Sequence, residues 1–400
     1  MPVCILRDAI VVGGGHNGLV AAAYLAKAGK NVCVLEKRHL VGGAAVTEEI
    51  FPGFKFSRAS YVFSLFRPQI IRDLELQRHG LEVIVRDPCS FTPTRDGRSL
   101  IFGSDMQQTQ ASIAQFSAAD AKAYPEYSKM LEVSPSTPGS AYILFHHVMG
   151  EVNGIKGAWG HVKGGMGGVS QSIAKAATEA GAEIHANTPV KSININVALD
   201  RLPNFSCFPN TGDGNTPMPN HYGTIHFEDS LGQIEDAFLD SQRGFSSKRP
   251  IIEMNIPTSL DQTIAPPGKH IALLFVQYTP YEPKDGKWSE PGKKTNFANQ
   301  VFSVIEQYAP GFTKSIIDYE ILTPPDLEQI FSLPKGNIFH GAMGFDQLFW
   351  MRPMARYSSY RSPVDGLYLC SAGTHPGGGV MGACGRNAAM ICLKDQLSNK

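Results

Sequence analysis

Gly13, Gly15 and Gly18 stand in a G-x-G-x-x-G spacing between a β-branched run, residues 8–12 (D-A-I-V-V), and an alanine-rich stretch, residues 19–27. Each glycine has a physical task. Gly13 makes a tight turn, Gly15 lets main chain approach a pyrophosphate, and Gly18 lets a helix pack on a strand. The pattern predicts a strand over 8–12, a helix over 19–27 stopped by Gly29, and a second strand over 31–35 that ends in Glu36. The helix N-terminus would then face phosphates, where unpaired N–H groups favour an anion. Glu36 lies about 20 residues past the glycines, where a carboxylate accepts hydrogen bonds from a ribose diol. A lone glycine motif is weak, but here strand, helix, second strand and terminal acid stand in order. NAD and FAD both use such a unit, so the following residues must decide between them.

Those residues are Glu36-Lys37-Arg38-His39-Leu40-Val41-Gly42-Gly43-Ala44. An acid at the strand end, two basic residues and a Gly-Gly pair resemble the second FAD signature of glutathione-reductase-like and amine-oxidase-like flavoproteins. The resemblance implies FAD as cofactor, with main chain at Gly42 and Gly43 close to it and basic side chains reaching the ribose or phosphates. A second glycine-rich unit stands at the far end of the chain. Residues 366–370 read as a short strand, residues 371–382 as a loop (S-A-G-T-H-P-G-G-G-V-M-G), and the stretch from Met381 to Gln396 as a helix. There, too, backbone can approach a ligand, and a helix dipole can stabilise charge on a reduced flavin. The residues expected to contact the cofactor are Val12, Gly13, Gly14, Gly15, His16, Asn17, Gly18, Glu36, Lys37, Arg38, Gly42, Gly43 and Ala44 from the first unit, with Gly373, Thr374, Gly378, Gly379 and Met381 from the last.

The G-T-H-P-G-G-G loop, with a following glycine and G-x-x-A-A, is similar to that of the phytoene desaturase and carotenoid isomerase family of FAD-dependent oxidoreductases. Segments 42–49 (G-G-A-A-V-T-E-E), 52–61, 146–150 (H-H-V-M-G), 157–167, 265–270 (A-P-P-G-K-H) and 322–328 agree with it, so the resemblance covers nearly the whole chain. It implies an α/β fold: a Rossmann-type FAD-binding domain, glutathione-reductase-like, with an inserted α+β substrate domain. The FAD domain would take residues 1–100, 155–192 and 362–400, and the substrate or cap domain residues 101–154 and 193–361. It further implies hydride transfer from an apolar, polyene- or lipid-like substrate to flavin, a mitochondrial matrix location for animal members, and a mitochondrial protein partner. A cytoplasmic location is the alternative, because the first strand begins within a few residues of the start and leaves no room for a presequence.

Composition narrows the field. A formal net charge of zero gives nucleic acid no electrostatic footprint. No run approaches the roughly 20 apolar residues of a membrane span, which leaves peripheral contact open. Seven cysteines at irregular spacings, without a C-x-x-C pair, argue against a disulfide framework and against dithiol chemistry. No metal-ligand spacing, P-loop or Ser-His-Asp arrangement stands out.

In the middle of the chain, 169–180 reads as a helix and 182–186 as a strand returning to the FAD domain. Residues 250–256 and 270–278 read as strands around a turn at Pro266-Pro267-Gly268, forming an antiparallel floor. The aromatics Phe331, Phe339, Phe345, Phe349 and Trp350 could line a pocket over the flavin or simply fill a sheet core. No catalytic base is nominated. His146 and His147 would face opposite ways on a strand, while His161 and His340 read as structural. His375 sits in the glycine loop and is read as ordering the turn; Arg386 is read as either a site residue or a surface partner. Two junctions depart from the family, which has a long helical segment after 129–132 and a hairpin and strand after 190–192. Their loss would expose a sheet edge and raises a second reading, a catalytically incomplete flavin-binding regulator.

Overall fold

A computed structural model describes residues 7–132, 151–186, 195–337, 340 and 348–398. The strands discussed below are, in chain order, β1 (Ala9–Val12), β2 (Val32–Glu36), β3 (Thr47–Phe51), β4 (Phe54–Ser57), β5 (Ser90–Pro93), β6 (Ser99–Phe102), β7 (Glu183–Ala186), β8 (Ile195–Leu199), β9 (Thr224–His226), β10 (Ile251–Asn255), β11 (His270–Gln277) and β12 (Ile316–Ile321). The helices discussed below are α1 (His16–Lys27), α2 (Gly167–Glu179), α3 (Lys293–Glu306), α4 (Pro324–Phe331) and α5 (Ala383–Ser398). β1, β2 and β7 form a parallel sheet in the order β1-β2-β7. α1 packs between α2 and α5 over this sheet. Leu19, Val20, Ala22 and Ala23 are fully buried, and small residues on α1 let both neighbouring helices approach it.

The second sheet has seven strands in the order β12-β8-β11-β10-β9-β5-β6, antiparallel except where β9 runs beside β5. Side chains alternate across it. One face, carrying Phe91, Val197, Ile225, Ile252, Met254, Ala272 and Leu274, buries itself against Val301, Phe302 and Ile305 of α3. The opposite face is more polar and turns toward the β3–β4 hairpin. That hairpin also closes the first unit: Thr47 Oγ1 accepts from Gly167 N at 2.9 Å and Ser57 Oγ from Met166 N at 2.9 Å, which satisfies the start of α2.

The βαβ unit, the return through α2 and β7, and the antiparallel β10–β11 pair form where the sequence places them. Two expectations are corrected. Residues 366–370 make no strand: Tyr368 forms an isolated bridge with Arg361, and its hydroxyl donates to Asp395 on α5 at 2.9 Å. With side-chain and turn partners available locally, the apolar run does not pair with β1. Residues 90–102, counted with the first unit up to residue 100, pair within the second sheet, because Phe91 buries into its core. The two junctions at 132–133 and 192–193, together with His146, His147, Phe339 and Phe345, lie outside the described residues.

Candidate functional site

Gly13 has φ +101°, a left-handed value, with no atom within 4 Å of where a Cβ would stand. Gly18 is there for packing: a Cβ would come to 2.1 Å from the Gly13 carbonyl oxygen. The Gly42-Gly43 turn docks on the first loop, with Gly42 N donating to Gly14 O at 2.8 Å. A Cβ on Gly43 would sit 3.1 Å from the Gly15 Cα. The close approach these glycines allow is therefore first of all loop on loop. Glu36 locks the arrangement: Oε2 accepts from Gly14 N at 2.6 Å and Oε1 from Arg38 N at 2.8 Å. A carboxylate held at both oxygens by main chain has a fixed direction and lone pairs to spare.

No side chain caps the start of α1, and its first turn carries no acid. That leaves its N-terminal dipole open toward the glycine loop. Asn17 is buried behind the loop. His16, the first helical residue, lies against the Gly379 backbone of the distant loop. Burial drives its imidazole down to about 4, an effect that His340 reinforces and Gly379 opposes. His16 is thus neutral at physiological pH, and its Nε2 is buried without a hydrogen-bond partner among the described residues. A second contact lies one residue further on. Gly385 N donates to Asn17 Oδ1 at 3.5 Å, and a Cβ on Gly385 would lie 2.0 Å from Asn17 O. The N-termini of α1 and α5, separated by more than 360 residues, meet at this point.

The C-terminal loop is built on its own backbone. Thr374 is buried and donates through Oγ1 to Ser371 O at 2.8 Å, while Gly373 N donates to Ser371 Oγ at 3.2 Å. Cys384 Sγ lies 3.6–3.7 Å from the carbonyls of Thr374, His375 and Gly377. Gly377, Gly379 and Gly382 take positive φ, and the Met381 carbonyl accepts from Arg67 N at 3.1 Å beside Gly378-Gly379. His375 anchors the turn through its carbonyl, which accepts from Tyr360 Oη at 2.7 Å; its ring lies 5.5 Å from Phe349. Among the described aromatics of that segment, Phe349 comes to the loop, while Trp350 is largely exposed.

Other expected residues differ in exposure and in their partners. Val12 ends β1 with its side chain 83% exposed, and Ala44 is half-buried. Lys37 reaches Ser332 at 2.8 Å. Arg38 is buried, stacked 4.8 Å over Phe331, donating to Gly43 O and paired with Glu48 at 2.5 Å. Glu48 also holds Arg58, which pairs with Glu320, whose other oxygen accepts from Asn196 Nδ2. Burial pushes the Glu48 carboxyl up, but Arg38 and Arg58 together hold it below its ordinary value. Arg386 lies over the Tyr24 ring and 3.8 Å from Asp73. His161 pairs with Asp261 at 3.5 Å, a structural contact.

Residues that the sequence reading passed over line the polar face of the seven-stranded sheet. Tyr61 donates to Glu253 Oε2 at 2.7 Å, and His226 stands opposite Glu253 in register. Arg86 is buried among Tyr222 O, Thr224 and Asn255. The signal was present in residues 251–255 (I-I-E-M-N), where polar residues alternate with apolar ones in a strand otherwise fit for a core.

Two apposed glycine loops, each opening a helix over or beside a parallel sheet, with an antiparallel sheet alongside, define a mixed α/β protein with a Rossmann-like dinucleotide-binding domain. Residues 11–74 match the family described as NAD(P)-binding Rossmann-like domain, and residues 93–200 match flavin containing amine oxidoreductase. A solved oxidoreductase from Methanosarcina mazei superposes with a TM-score of 0.56 at 14% identity, covering 97% of this chain and 99% of its own. The chain is 41% identical to the mouse pyridine nucleotide-disulfide oxidoreductase domain-containing protein 2, covering 97% of this chain and 93% of the relative, and belongs to that protein's family. A lycopene-forming phytoene desaturase from Pseudescherichia vulneris is 22% identical over 98% of this chain and 100% of its own. The cofactor is FAD. The mouse alignment runs over 545 positions against the 400 residues of this chain, so at least 145 of its positions have no counterpart here.

Proposed function

We propose that this chain is an FAD-dependent oxidoreductase that moves a hydride from an apolar, polyene- or lipid-like substrate to flavin. In this reading its FAD domain is glutathione-reductase-like, and the seven-stranded sheet belongs to a substrate domain inserted into it. The observation that carries the proposal is the meeting of the two glycine loops through Asn17 and Gly385. A nicotinamide site needs only the first loop; the second gives a helix start and flexible main chain where a flavin ring would lie. The residues present fit the group. Gly13 and Gly15 leave a cradle that a Cβ would enter, α1 is uncapped, and His16 Nε2 is buried without a partner among the described residues.

FAD supplies the acceptance of a hydride. The first turn of α1 would hold the pyrophosphate and Glu36 the ribose diol, with loop 377–382 against the ring. The phytoene desaturase resemblance supports the apolar substrate class. Titration of the purified protein with FAD should give a saturable flavin spectrum that Gly15→Trp removes. Failure of the wild-type chain to take up flavin would sink the proposal.

One observation favours a second reading, a shortened flavin-binding protein that works through partner contacts in the mitochondrial matrix. Ile10, Val12 and Leu35 expose 60%, 83% and 45% of their surface on one face of the small sheet. Partner capture from matrix extract that persists in Gly15→Trp, with no substrate turnover by the flavin-loaded chain, is the outcome that selects it.

A further inference from the structure

The face of the seven-stranded sheet turned away from α3 is not what a pure hydrocarbon would select. His226, Glu253 and Phe275 stand in one cross-strand row over β9, β10 and β11. Glu253 Oε2 is taken by the Tyr61 hydroxyl, and the Tyr61 ring lies 6.0 Å from Phe275. Glu253 Oε1 makes no hydrogen bond among the described residues. Two residues along β10, on the same face, Asn255 is 1% exposed. Its Oδ1 accepts from Arg86 and from Thr224 at 3.0 Å, which fixes the amide orientation; its Nδ2 is buried with no partner among the described residues.

Charge decides what this row can receive. Each nitrogen of the Arg86 guanidinium already donates within the fold: Nε to Tyr222 O at 2.9 Å, Nη1 to Thr224 at 3.5 Å and Nη2 to Asn255. Burial lowers the His226 pKa, so its ring is neutral and does not cancel the carboxylate. Glu228 lies 3.7 Å from His226 and accepts from Ile252 N. Glu253 Oε1 is therefore a directed acceptor beside two aromatic rings, on a side chain that is only partly buried and so reachable by a ligand. Tyr61 sits on the segment that runs from the Arg58–Glu320 pair to Arg67, whose N–H donates to Met381 O in the flavin loop. The row and the loop are thus joined by fewer than ten residues of chain.

We infer that this row is a head-group site: Glu253 Oε1, its carboxylate fixed by Tyr61, accepts from a hydroxyl or ammonium at one end of an otherwise apolar substrate. The hydrocarbon body lies along Tyr61 and Phe275. This rests on the oxidoreductase reading and narrows its substrate to amphipathic molecules with a protic end.

The test is calorimetric titration of the full chain, with and without saturating FAD, against 1-nonanol, nonylamine and methyl octyl ether. The ether is an isomer of the alcohol with no donor. At least one of the alcohol and the amine should bind about ten-fold tighter than the ether, as expected for a hydrogen bond to a charged acceptor. The arm that binds identifies the head group. In Glu253→Gln, Tyr61 can still donate to the amide oxygen, which leaves an NH2 in the open position. The preference should then vanish or reverse toward the ether, with melting temperature and flavin content unchanged. Equal binding of alcohol, amine and ether, no binding of any, or a preference that survives Glu253→Gln overturns the inference. Loss of flavin binding with the preference intact overturns the oxidoreductase reading instead.

Discussion

Three glycines of the site answer differently to a single methyl group. A Cβ on Gly15 meets nothing closer than the Gly43 Cα at 3.9 Å, ordinary contact. Gly15→Ala should therefore fold with an unchanged melting temperature and lose FAD affinity, read by flavin fluorescence during titration. Gly18→Ala and Gly385→Ala place the methyl 2.1 and 2.0 Å from backbone oxygens. Each should cost about 1–3 kcal/mol of stability, the range of an overpacked contact, measured by urea unfolding. Glu228 makes a separate residue-scale prediction. Burial raises its carboxyl to about 7, with Glu253 and Asp229 adding to the rise and the main-chain hydrogen bonds of Glu228 and Ile252 opposing it. A carboxyl raised in the folded state binds protons that the unfolded chain has released, so stability falls as pH rises from about 4.5 to about 7 and levels off above. Glu228→Gln should flatten that slope, and its melting temperature should exceed the wild type's most clearly above pH 7.

At the scale of elements, the chain Arg38–Glu48–Arg58–Glu320 ties the loop after β2 to the edge strand of the second sheet. Removing Glu48 leaves the buried Arg38 guanidinium without its anion, while Arg58 keeps Glu320, so Glu48→Gln should destabilise by roughly 3 kcal/mol. Because the Glu48 pKa is depressed on folding, its contribution is present above the unfolded value and is lost as pH falls through the folded one. Denaturant curves for wild type and variant should stand apart at pH 7 and draw together progressively as pH falls below about 4.5. The same network shows where sequence reading stops. β1, α1 and β2 were legible because each is specified by its own residues: β-branched run, alanines and glycine punctuation. The partner of Arg38 was not, since the residue type suits a phosphate as well as Glu48. Strand 366–370 failed for a similar reason: apolar alternation proposes a strand, but pairing decides it. Glu253 escaped notice because its partner Tyr61 is 192 residues away.

At the scale of the molecule, the parallel sheet is three strands wide among the described residues, and β1 forms its edge there. Beside the exposed Ile10, Val12 and Leu35, Leu367 and Leu369 are 51% and 36% exposed. The mouse relative carries at least 145 further positions, and an open apolar edge is a recognised association hazard. The chain should bind a hydrophobic dye in its native state and associate at raised concentration. Ile10→Thr with Leu35→Thr should reduce both, as seen by light scattering, without lowering the melting temperature.

The contact between Asn17 and Gly385 also imposes an order of events in time. On a ribosome adding about 5–20 residues per second, roughly 20–70 seconds separate the emergence of its two sides. During that interval α1 is already out, its small-residue face lacks α5, and the first glycine loop lacks its counterpart. Cofactor capture in its final form must therefore follow release of the last helix, and a nascent chain stalled before α5 should be protease-sensitive at α1 whether or not FAD is supplied.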